Sequence, residues 1–485
     1  GVFNNASDDD IRTIAQLGIP RRIEQGSYFF FEGDPANYLY VLLSGRAKLC
    51  QVTPDGQQVN LRTLSPNQLF GAVGAIDAQA AYPACAQALE DSTALAIESA
   101  AFRRLLEQRP HLSFGMMRLM TGYIERLALA PDGKHEANRK YRVVATRPNK
   151  RYYARAILSL RARWDTVGYA YDWRRDIDEA ADGLAKLVRE RFPGKPVHIV
   201  AHSMGGLVAR NMILRHPKLW EGLEDPDKVA GGRLVMLGTP NYGSYAIVQA
   251  LTGEDRMMAM LEKLDFSHDM RELLAITNSF VGSYQLLPAP SKLSTTLDAL
   301  YQADTWPKRA AVSQLHLNRA HQFHASLETA STVSATRMIY VAGCQQPTIV
   351  GMNIAGRGDF DYVLSREGDG RVPHALGLLP GVPAYYIDEV HGDLARNEQV
   401  LRALDDLLES GSTSVLATRP TRGAKRGAPN LREYQRATDG VLMDEFDRIV
   451  DEARPVRDSR AEPKVSDEDA AIAEDALLRA SLGAG

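Results

Sequence analysis

Residues 195–213 read KPVHIVAHSMGGLVARNMI, and this stretch carries the strongest local signal in the chain. A short run rich in β-branched residues, Val197–Val200, leads into Ser203, and a run with helical spacing follows at once. A strand that turns sharply into a helix at a serine is typical of a nucleophile elbow, which exposes the serine hydroxyl. The helix would direct its positive end and the Met204 backbone N–H at a developing oxyanion. The stretch therefore predicts a nucleophile, Ser203, and one oxyanion donor, Met204.

The residues that flank this serine fit the same interpretation. Small side chains are expected two positions before and after the serine, because neighbouring backbone passes close to the turn. Gly205 meets this requirement directly, and Ala201 stands where a glycine is more usual. His202 lies directly before the serine, but we expect it to point along the turn. His202 is therefore a weaker candidate for the catalytic base than His391, which is introduced below. His374 is a second weaker candidate.

A serine nucleophile needs an acid and a histidine, expected in that order along the chain. The loop GDGRVP (368–373) carries Asp369 between two glycines, and His391 precedes the final amphipathic run. A serine hydroxyl alone is a poor nucleophile, so His391 would take its proton while Asp369 fixes the imidazole tautomer. Asp388 and Asp393 are closer to the histidine in sequence, and we expect them to be turn or cap residues.

A second oxyanion donor is expected in the loop that follows an earlier strand. The predicted strand RVVAT (142–146) is followed by RPNKRYY, a loop without glycine. Thr146 or Arg147 is therefore the candidate donor, and a loop too short to donate is the alternative. Loss of one such donor lowers a rate by about 10²–10³-fold, so the alternative implies weak activity.

Short β-branched runs alternate with helical patterns throughout residues 141–410. Besides 142–146 and 197–200, strands are predicted at 233–237 and 338–343. This alternation predicts parallel βαβ units in a doubly wound sheet. Residues 131–140 are polar and are interpreted as a linker to what precedes them.

The N-terminal stretch, residues 1–130, has short strands and tight turns instead. Leu39, Val41 and Leu43 alternate as in a half-buried strand, and Asp55-Gly56 between two such runs is a hairpin signal. Three segments carry a resemblance to the cyclic-nucleotide-binding family: EGDPANYLYVLLSGRAKL (32–49), PDGQQVNLRTLSPNQLFG (54–71) and ALEDSTALAIESAAFRRLLEQRP (88–110). The turn glycines that match the family are Gly33, Gly45, Gly56 and Gly71. The resemblance implies an antiparallel β-roll followed by helices.

The ligand residues of that family are not matched. The family uses a glutamate for the ribose and an arginine for the cyclic phosphate, and this chain has Ala72 and Tyr82 at those positions. Without that arginine, a bound phosphate has no guanidinium group with which to form a pair of charge-assisted hydrogen bonds. We therefore favour a degenerate structural or dimerising module over one that binds cyclic AMP or cyclic GMP. The helix around 116–127 occupies the place of the family's dimer helix, and both homo-oligomerisation and intramolecular packing stay open for it.

Six motifs in the second part, in this order, resemble the lecithin:cholesterol acyltransferase-like branch of the α/β-hydrolases. They are YDWRRD (171–176), AHSMGG (201–206), LGTPNYGS (237–244), SYQLLP (283–288), GDGRVP (368–373) and HGDL (391–394). The resemblance covers roughly 165–410 and implies acyl-ester chemistry on lipids through a serine acyl-enzyme. Water or an alcohol would accept the acyl group, and both acceptors stay open.

A helix-rich insertion at about 245–335 lies where this fold carries its lid. It contains Met257, Met258, Met260 and Trp306. A lid closing over an acyl chain and a plain helical cap with core methionines are equally compatible with this pattern.

Composition limits the partners. The 485 residues carry 57 Lys and Arg against 60 Asp and Glu, a formal charge of −3. We therefore expect no overall electrostatic attraction of nucleic acid. No apolar run reaches the ~18–20 residues of a membrane span, and we expect at most peripheral membrane contact. Three cysteines and no visible secretory signal predict a cytoplasmic protein. No cofactor and no metal are expected, because serine–histidine–aspartate chemistry needs neither.

The predicted fold class is therefore multidomain: an antiparallel β-roll with helices, then an α/β-hydrolase with a helical lid insertion, then a tail at 411–485 with peripheral helices. The predicted function is a serine hydrolase or acyltransferase acting on acyl-lipid esters, with the roll in a regulatory or oligomerising role. A non-enzymatic sensor or scaffold with an inactive hydrolase-like part is the alternative, favoured by the glycine-poor loop after 142–146.

Overall fold

The computed structural model describes residues 7–52, 58–76, 80–82, 84–109, 112, 127–138, 143–145, 147–225, 230–255, 258, 268–329, 335–420, 429–431 and 433–434. The described residues up to 112 form one unit and those from 127 onward form a second. The two units are described separately below. Several predicted features lie outside these residues: the Asp55-Gly56 turn, most of the 116–127 helix, Met257, Met260 and the predicted helices of the tail.

The described residues of the first unit include two four-stranded antiparallel sheets and the helices α1 to α3. Its elements are α1 (Asp8–Leu17), β1 (Gly18–Ile23), β2 (Tyr28–Phe30), β3 (Tyr38–Ser44), β4 (Ala47–Val52), β5 (Gln58–Leu64), β6 (Leu69–Phe70), α2 (Val73–Ile76), β7 (Cys85–Ala88), β8 (Ser92–Glu98) and α3 (Ser99–Gln108). The strand orders are β1-β8-β3-β6 and β2-β7-β4-β5. The antiparallel β-roll expected from the sequence is thereby confirmed.

Strand β3 is buried on both faces, whereas the alternating pattern predicted a half-buried strand. Leu39 and Val41 pack with apolar residues of α1 and α3, while Tyr40 and Leu42 pack with residues of the second sheet. A strand between helices and another sheet has no solvent face, so this part of the prediction is wrong. The turn after β3 shows why glycine is needed there: Gly45 has φ +81°, and a Cβ on it would lie 2.6 Å from the Asp91 carbonyl oxygen.

The second unit is built on a four-stranded parallel sheet. Its elements are α4 (Lys150–Arg161), α5 (Ile177–Arg191), β9 (Ile199–His202), α6 (Met204–Arg215), α7 (Pro217–Glu221), β10 (Glu224–Asp225), β11 (Ala230–Gly231), β12 (Leu234–Leu237), α8 (Ala246–Thr252), α9 (Met270–Thr277), α10 (Val281–Tyr284), α11 (Gln314–Thr329), β13 (Met338–Gly343), β14 (Thr348–Gly356), β15 (Asp359–Ser365), α12 (His374–Gly377), β16 (Ala384–Ile387) and α13 (Glu398–Glu409). Short 3₁₀ turns occur at Pro290–Lys292, Asp298–Tyr301, Ala303–Thr305, Lys308–Ala310, Ala335–Arg337 and His391–Arg396.

The parallel sheet has the strand order β16-β13-β12-β9 and is covered on both faces. Leu234 and Met236 of β12 belong to the apolar cluster that includes α5 and α6. Val235 and Leu237 of the same strand belong to the cluster that includes α13. Helices on both faces explain why β12 is a continuous apolar run rather than an alternating one. They also leave the carboxyl ends of the strands as the edge where a site can form.

The predicted strand at 142–146 is not observed in its described residues, 143–145, which have no regular structure. Val144 is 46% exposed. The Val143 N–H donates to Glu136 Oε1 at 3.2 Å instead of to a neighbouring strand. Two valines raise β-propensity, but a tertiary hydrogen-bond partner outside a sheet overrides it here.

The segment 127–138, which contains most of the proposed linker, belongs to the second unit and is held there by buried charges. Glu136 is 7% exposed and Arg174 is 2% exposed, and their side chains form an ion pair at 3.1 Å. Arg174 also pairs with Asp172 at 2.6 Å and donates to the Leu127 carbonyl oxygen at 2.5 Å. Buried charges persist only when they are paired, so this network fixes the segment against the 172–175 loop.

Candidate active site

Ser203 stands at the turn between β9 and α6 with φ +54° and ψ −131°. Few residues other than glycine adopt a positive φ, because the Cβ then approaches the backbone. The conformation is held by hydrogen bonds on both sides: the Ser203 N–H donates to Leu237 O at 2.9 Å, and the Gly206 N–H donates to Ser203 O at 3.0 Å. The short strand followed directly by a helix therefore produces a strained elbow at the serine.

The close approach beside this elbow occurs at Gly206 rather than at Gly205. A Cβ on Gly206 would lie 2.0 Å from the Thr239 Oγ1, so only glycine fits there. A Cβ on Gly205 would meet Ala201 Cβ at 3.9 Å, an ordinary contact. The two small residues that the sequence singled out, Ala201 and Gly205, therefore face each other across the turn.

Ser203, His391 and Asp369 are joined by two hydrogen bonds. The His391 Nε2 lies 2.8 Å from Ser203 Oγ, and its Nδ1 lies 2.8 Å from Asp369 Oδ2. Ser203 follows β9 and His391 follows β16, while Asp369 comes after the β14–β15 hairpin and lies beside Gly343 at the end of β13. The three residues therefore meet at the carboxyl edge of the parallel sheet. This geometry permits a proton to move from the serine hydroxyl to an imidazole whose other nitrogen faces a carboxylate.

Asp369 is 2% exposed, although it lies between two glycines of a loop. Its Oδ1 accepts hydrogen bonds from the backbone N–H groups of Val372 at 2.7 Å and Arg371 at 3.0 Å. Burial by itself raises the pKa of Asp369, but the charge of His391, its ring hydrogen bond and the two backbone N–H groups outweigh that effect. The pKa of Asp369 therefore lies below its ordinary value. The carboxylate stays ionised and keeps one oxygen directed at the histidine.

Two glycines at the ends of neighbouring strands make room for this acid–base pair. Gly238 follows β12 with φ +57°, and a Cβ there would lie 2.9 Å from Asp369 Oδ2 and 3.1 Å from His391 Nδ1. Gly343 ends β13, and a Cβ there would lie 2.6 Å from Asp369 Cβ. Gly238 entered the sequence predictions only as part of the motif LGTPNYGS, and its steric role was missed. A glycine directly after a buried strand was the available signal.

His202 contacts the backbone of His391 rather than pointing along the turn as expected. Its Nε2 lies 2.8 Å from the His391 carbonyl oxygen, and its Nδ1 lies 3.0 Å from the Tyr153 hydroxyl. Burial, followed by the charge of His391, lowers the pKa of His202 to about 4. The ring is therefore neutral near pH 7.

The remaining candidates for the base and the acid, His374, Asp388 and Asp393, make other contacts. His374 Nε2 contacts the Gly343 carbonyl oxygen at 2.9 Å. Asp388 accepts a hydrogen bond from Gln346, and Asp393 pairs with Arg396 at 2.7 Å within a 3₁₀ turn. The carboxylate that contacts the His391 ring is therefore that of Asp369. Asp388 and Asp393 are engaged with Gln346 and Arg396.

The oxyanion candidates are only partly described. Met204 is the first residue of α6, so its N–H is one of the four at the helix start without an intrahelical acceptor. Arg147 is half-buried in the segment before α4, and Thr146 lies outside the described residues. The helix start thus offers one N–H beside Ser203, and the second donor stays a prediction.

The insertion between β12 and β13 has a packed apolar interior. Trp306 is 1% exposed, donates from its indole N–H to Leu300 O at 2.9 Å and stacks edge-on against Phe360. Met258 is also buried. Trp306 is therefore a core residue of this insertion, which contains α8 to α11.

In the first unit, the position expected for a phosphate-binding arginine holds a buried tyrosine. Tyr82 is 3% exposed, stacks on Phe30 with ring centroids 3.7 Å apart and donates its hydroxyl proton to Tyr38 O at 2.6 Å. Ala72, at the position expected for the glutamate, is half-buried beside β6. Neither side chain carries a charge that could bind a phosphate or anchor a ribose hydroxyl as an ion would.

In the part of the chain that the structure describes, no helix combines the length and the apolar character that crossing a bilayer requires. In the same ranges, no three or more His, Cys, Asp or Glu side chains are grouped so that they could hold a metal ion.

Comparison with known families supports the two-part organisation. Residues 20–109 match the cyclic nucleotide-binding domain, and residues 160–396 match lecithin:cholesterol acyltransferase. Both resemblances predicted from the sequence are thereby confirmed, and the chain carries both a cyclic nucleotide-binding domain and a lecithin:cholesterol acyltransferase-like domain.

Individual relatives resemble one part of the chain each. The CRP-like cAMP-activated global transcriptional regulator of Mycobacterium tuberculosis is 25% identical over 126 residues, which are 26% of this chain and 56% of the relative. The phosphatidylcholine-sterol acyltransferase of Mus musculus is 33% identical over 135 residues, 26% of this chain and 28% of the relative. The solved catabolite activator protein of Thermus thermophilus is 21% identical with a TM-score of 0.26, covering 39% of this chain and 71% of that one. The chain thus spans about half of the first relative and about a quarter of the second.

Proposed function

We propose that the chain is a serine-dependent enzyme that hydrolyses or transfers the acyl group of acyl-lipid esters. In this proposal Ser203 is the nucleophile, His391 the general base and Asp369 the residue that orients the base. The observation that carries the proposal is the pair of 2.8 Å contacts that link Ser203 Oγ through the His391 ring to a buried carboxylate. The lipid ester class rests on the family match over residues 160–396.

The proposed reaction has two halves. In the first, Ser203 Oγ attacks the ester carbonyl carbon while its proton passes to His391 Nε2, and Asp369 stabilises the imidazolium that forms. The tetrahedral intermediate then collapses to an acyl-enzyme, and His391 gives its proton to the departing alcohol. In the second, His391 takes a proton from water or an alcohol, which attacks the acyl carbon and forms a second tetrahedral intermediate. Its collapse breaks the bond between the acyl carbon and Ser203 Oγ, and His391 Nε2 returns its proton to that oxygen, which releases the acid or the new ester.

The negative charge of the tetrahedral intermediate needs N–H donors. The Met204 N–H is the proposed first donor, because it lies at the positive end of α6 next to the nucleophile. Thr146 and Arg147 are the proposed second donors. Within this proposal the second unit is an α/β-hydrolase, with the insertion between β12 and β13 as its lid and with boundaries near 141 and 410.

For the first unit we propose a regulatory or oligomerising role in which ordinary cyclic nucleotides are not ligands. The support is the replacement of the expected charged pair by Ala72 and Tyr82, and the burial of the Tyr82 ring against Phe30. A cyclic phosphate would have to displace that ring and would still lack a cationic partner.

Covalent labelling with an alkyl fluorophosphonate tests the enzymatic proposal, because these reagents phosphonylate serines that a neighbouring base activates. The wild-type chain is expected to gain one phosphonyl group, and Ser203→Ala none. Ser326→Ala is the matched control, since Ser326 is an exposed serine of the same unit whose hydroxyl only donates to Gln322 O. An unlabelled wild-type chain would contradict the proposal. Release of fatty acid from phosphatidylcholine vesicles, with and without an added long-chain alcohol, then distinguishes hydrolysis from transfer.

A further inference from the structure

The backbone of the proposed base is held in place from two sides. The His391 N–H donates to the Asp369 carbonyl oxygen at 2.8 Å. Its own carbonyl oxygen lies 2.8 Å from His202 Nε2. His202 is the last residue of β9 and is bonded directly to Ser203, so this second contact joins the nucleophile strand to the loop that carries the base.

The donor and acceptor roles in this contact follow from chemistry. A carbonyl oxygen can only accept, so the His202 Nε2 must carry the proton. In a neutral imidazole the other nitrogen then has a lone pair, and the Tyr153 hydroxyl, 3.0 Å from Nδ1, is placed to donate to it. Tyr153 belongs to α4, which adds a third element to the support of His391.

We propose that His202 is a positioning residue that holds the main chain of His391, with Tyr153 selecting the tautomer that can do so. The inference rests on the proposed function, since it concerns the same serine–histidine pair. The ring centroids of His202 and His391 lie 5.0 Å apart. Loss of the His202 ring would therefore remove both a hydrogen bond and a packing surface next to the imidazole that must reach Ser203.

Two further observations fit a positioning role. The pKa of about 4 keeps His202 uncharged near pH 7, so it does not compete electrostatically with the imidazolium that forms on His391. The hydrogen bonds of the two His202 ring nitrogens go to the His391 carbonyl oxygen and the Tyr153 hydroxyl, whereas Ser203 Oγ contacts His391 Nε2. His202 thus acts through the main chain of the base and not on the reacting atoms.

The test compares fluorophosphonate labelling rates of three site variants. His202→Leu removes the donor and is expected to lower the labelling rate constant of the folded chain by about 10–100-fold, the range for misplacing a catalytic group. His202→Gln keeps an N–H close to the Nε2 position and is expected to restore the rate to within roughly threefold of wild type. Tyr153→Phe leaves His202 in place and is expected to lower the labelling rate constant by about two- to tenfold, the equivalent of one neutral hydrogen bond.

His198→Gln is the matched control. His198 precedes the same strand, its pKa is also lowered to about 4 by burial, and its nitrogens contact the N–H groups of Gly231 and Arg233 away from the site. It is expected to leave the rate constant unchanged. The thermal unfolding midpoint and the final labelled fraction are both measured in every variant, because reversible unfolding lowers the apparent rate constant whereas irreversible unfolding lowers the labelled fraction.

The outcomes separate the two proposals. If wild type is not labelled, the proposed function fails. If wild type is labelled and His202→Leu reacts at the wild-type rate, the positioning role is overturned. It is also overturned if His202→Gln is as slow as His202→Leu, or if only the labelled fraction falls. A slow His202→Leu with a fast His202→Gln supports it.

Discussion

Replacing Asp369 by asparagine is expected to trap His391 in the wrong tautomer while leaving the fold intact. Asp369 Oδ1 already accepts from the backbone N–H groups of Arg371 and Val372, and only Oδ2 faces the histidine. An asparagine must keep its carbonyl oxygen against those two donors. Its NH₂ group then faces His391 Nδ1 and donates to it, which moves the ring proton to Nε2. A protonated Nε2 in a neutral ring cannot take the proton of Ser203.

The magnitude follows from the same contacts. Flipping the amide would leave two backbone N–H donors without an acceptor, at a cost of about 1–3 kcal/mol for each buried group. The wrong tautomer therefore dominates. Loss of rate for such a change in a serine–histidine–aspartate site is about 10⁴-fold, or about 5.5 kcal/mol in activation free energy. Both backbone hydrogen bonds of the loop remain, so we expect little change in the thermal unfolding midpoint.

The assay is the second-order rate constant of fluorophosphonate labelling at pH 7.0–8.0, alongside thermal unfolding. Asp388→Asn is the control, because Asp388 is near His391 in sequence but accepts from Gln346 instead. We expect wild-type labelling in the control. Labelling of Asp369→Asn within about tenfold of wild type, with an unchanged fold, would refute the tautomer argument.

Three further outcomes are expected. His198, His202 and His324 have pKa values lowered to about 4, chiefly by burial, so the unfolded chain binds more protons between pH ~6.5 and ~4 and stability falls as pH drops through that window. The free energy of unfolding, measured with urea at pH 5 and pH 6, should depend on pH less steeply in His324→Gln than in wild type, by about 1.4 kcal/mol per pH unit. An equal pH dependence in the two proteins would contradict this expectation. Gly238→Ala should slow labelling by more than about tenfold by pushing the acid–base pair apart, whereas Gly194→Ala, also at positive φ (+66°) but with nothing within 4 Å of its Cβ, should label normally. Cyclic AMP and cyclic GMP should not shift the unfolding midpoint of the chain, and a stabilisation of several degrees by either would contradict the degenerate-pocket proposal.

The features that could be predicted from the sequence are mostly local. A β-branched run that ends at Ser203 and continues with helical spacing is enough to predict the elbow, because adjacent residues determine the turn. The β-roll of the first unit was recognisable from its spaced glycines and strand segments. Both depend on short-range patterns or on a family resemblance distributed over the whole segment.

Errors arose where a contact outside the segment outweighed the propensity of its own residues. Residues 143–145 have the composition of a strand, yet the Val143 N–H bonds to Glu136 outside any sheet. The alternation at Leu39 and Val41 predicted one solvent face, but helices cover one side of β3 and a second sheet covers the other. Neither the hydrogen-bond partner nor the second covering layer can be derived from the residues of the segment itself.

The sequence alone determined the candidate nucleophile, its direction of exposure and the order in which Asp369 and His391 follow it. That these side chains lie within hydrogen-bond distance is visible only in the folded chain, since they come from loops separated by up to 188 positions. The tertiary structure also decided the burial of Asp369, the space that Gly238 leaves for the acid–base pair and the contact of His202 with the His391 carbonyl. The physical reason is that pKa, tautomer and steric clearance depend on what the folded chain brings within a few ångströms, whereas periodicity and spacing report only the conformation of neighbouring residues.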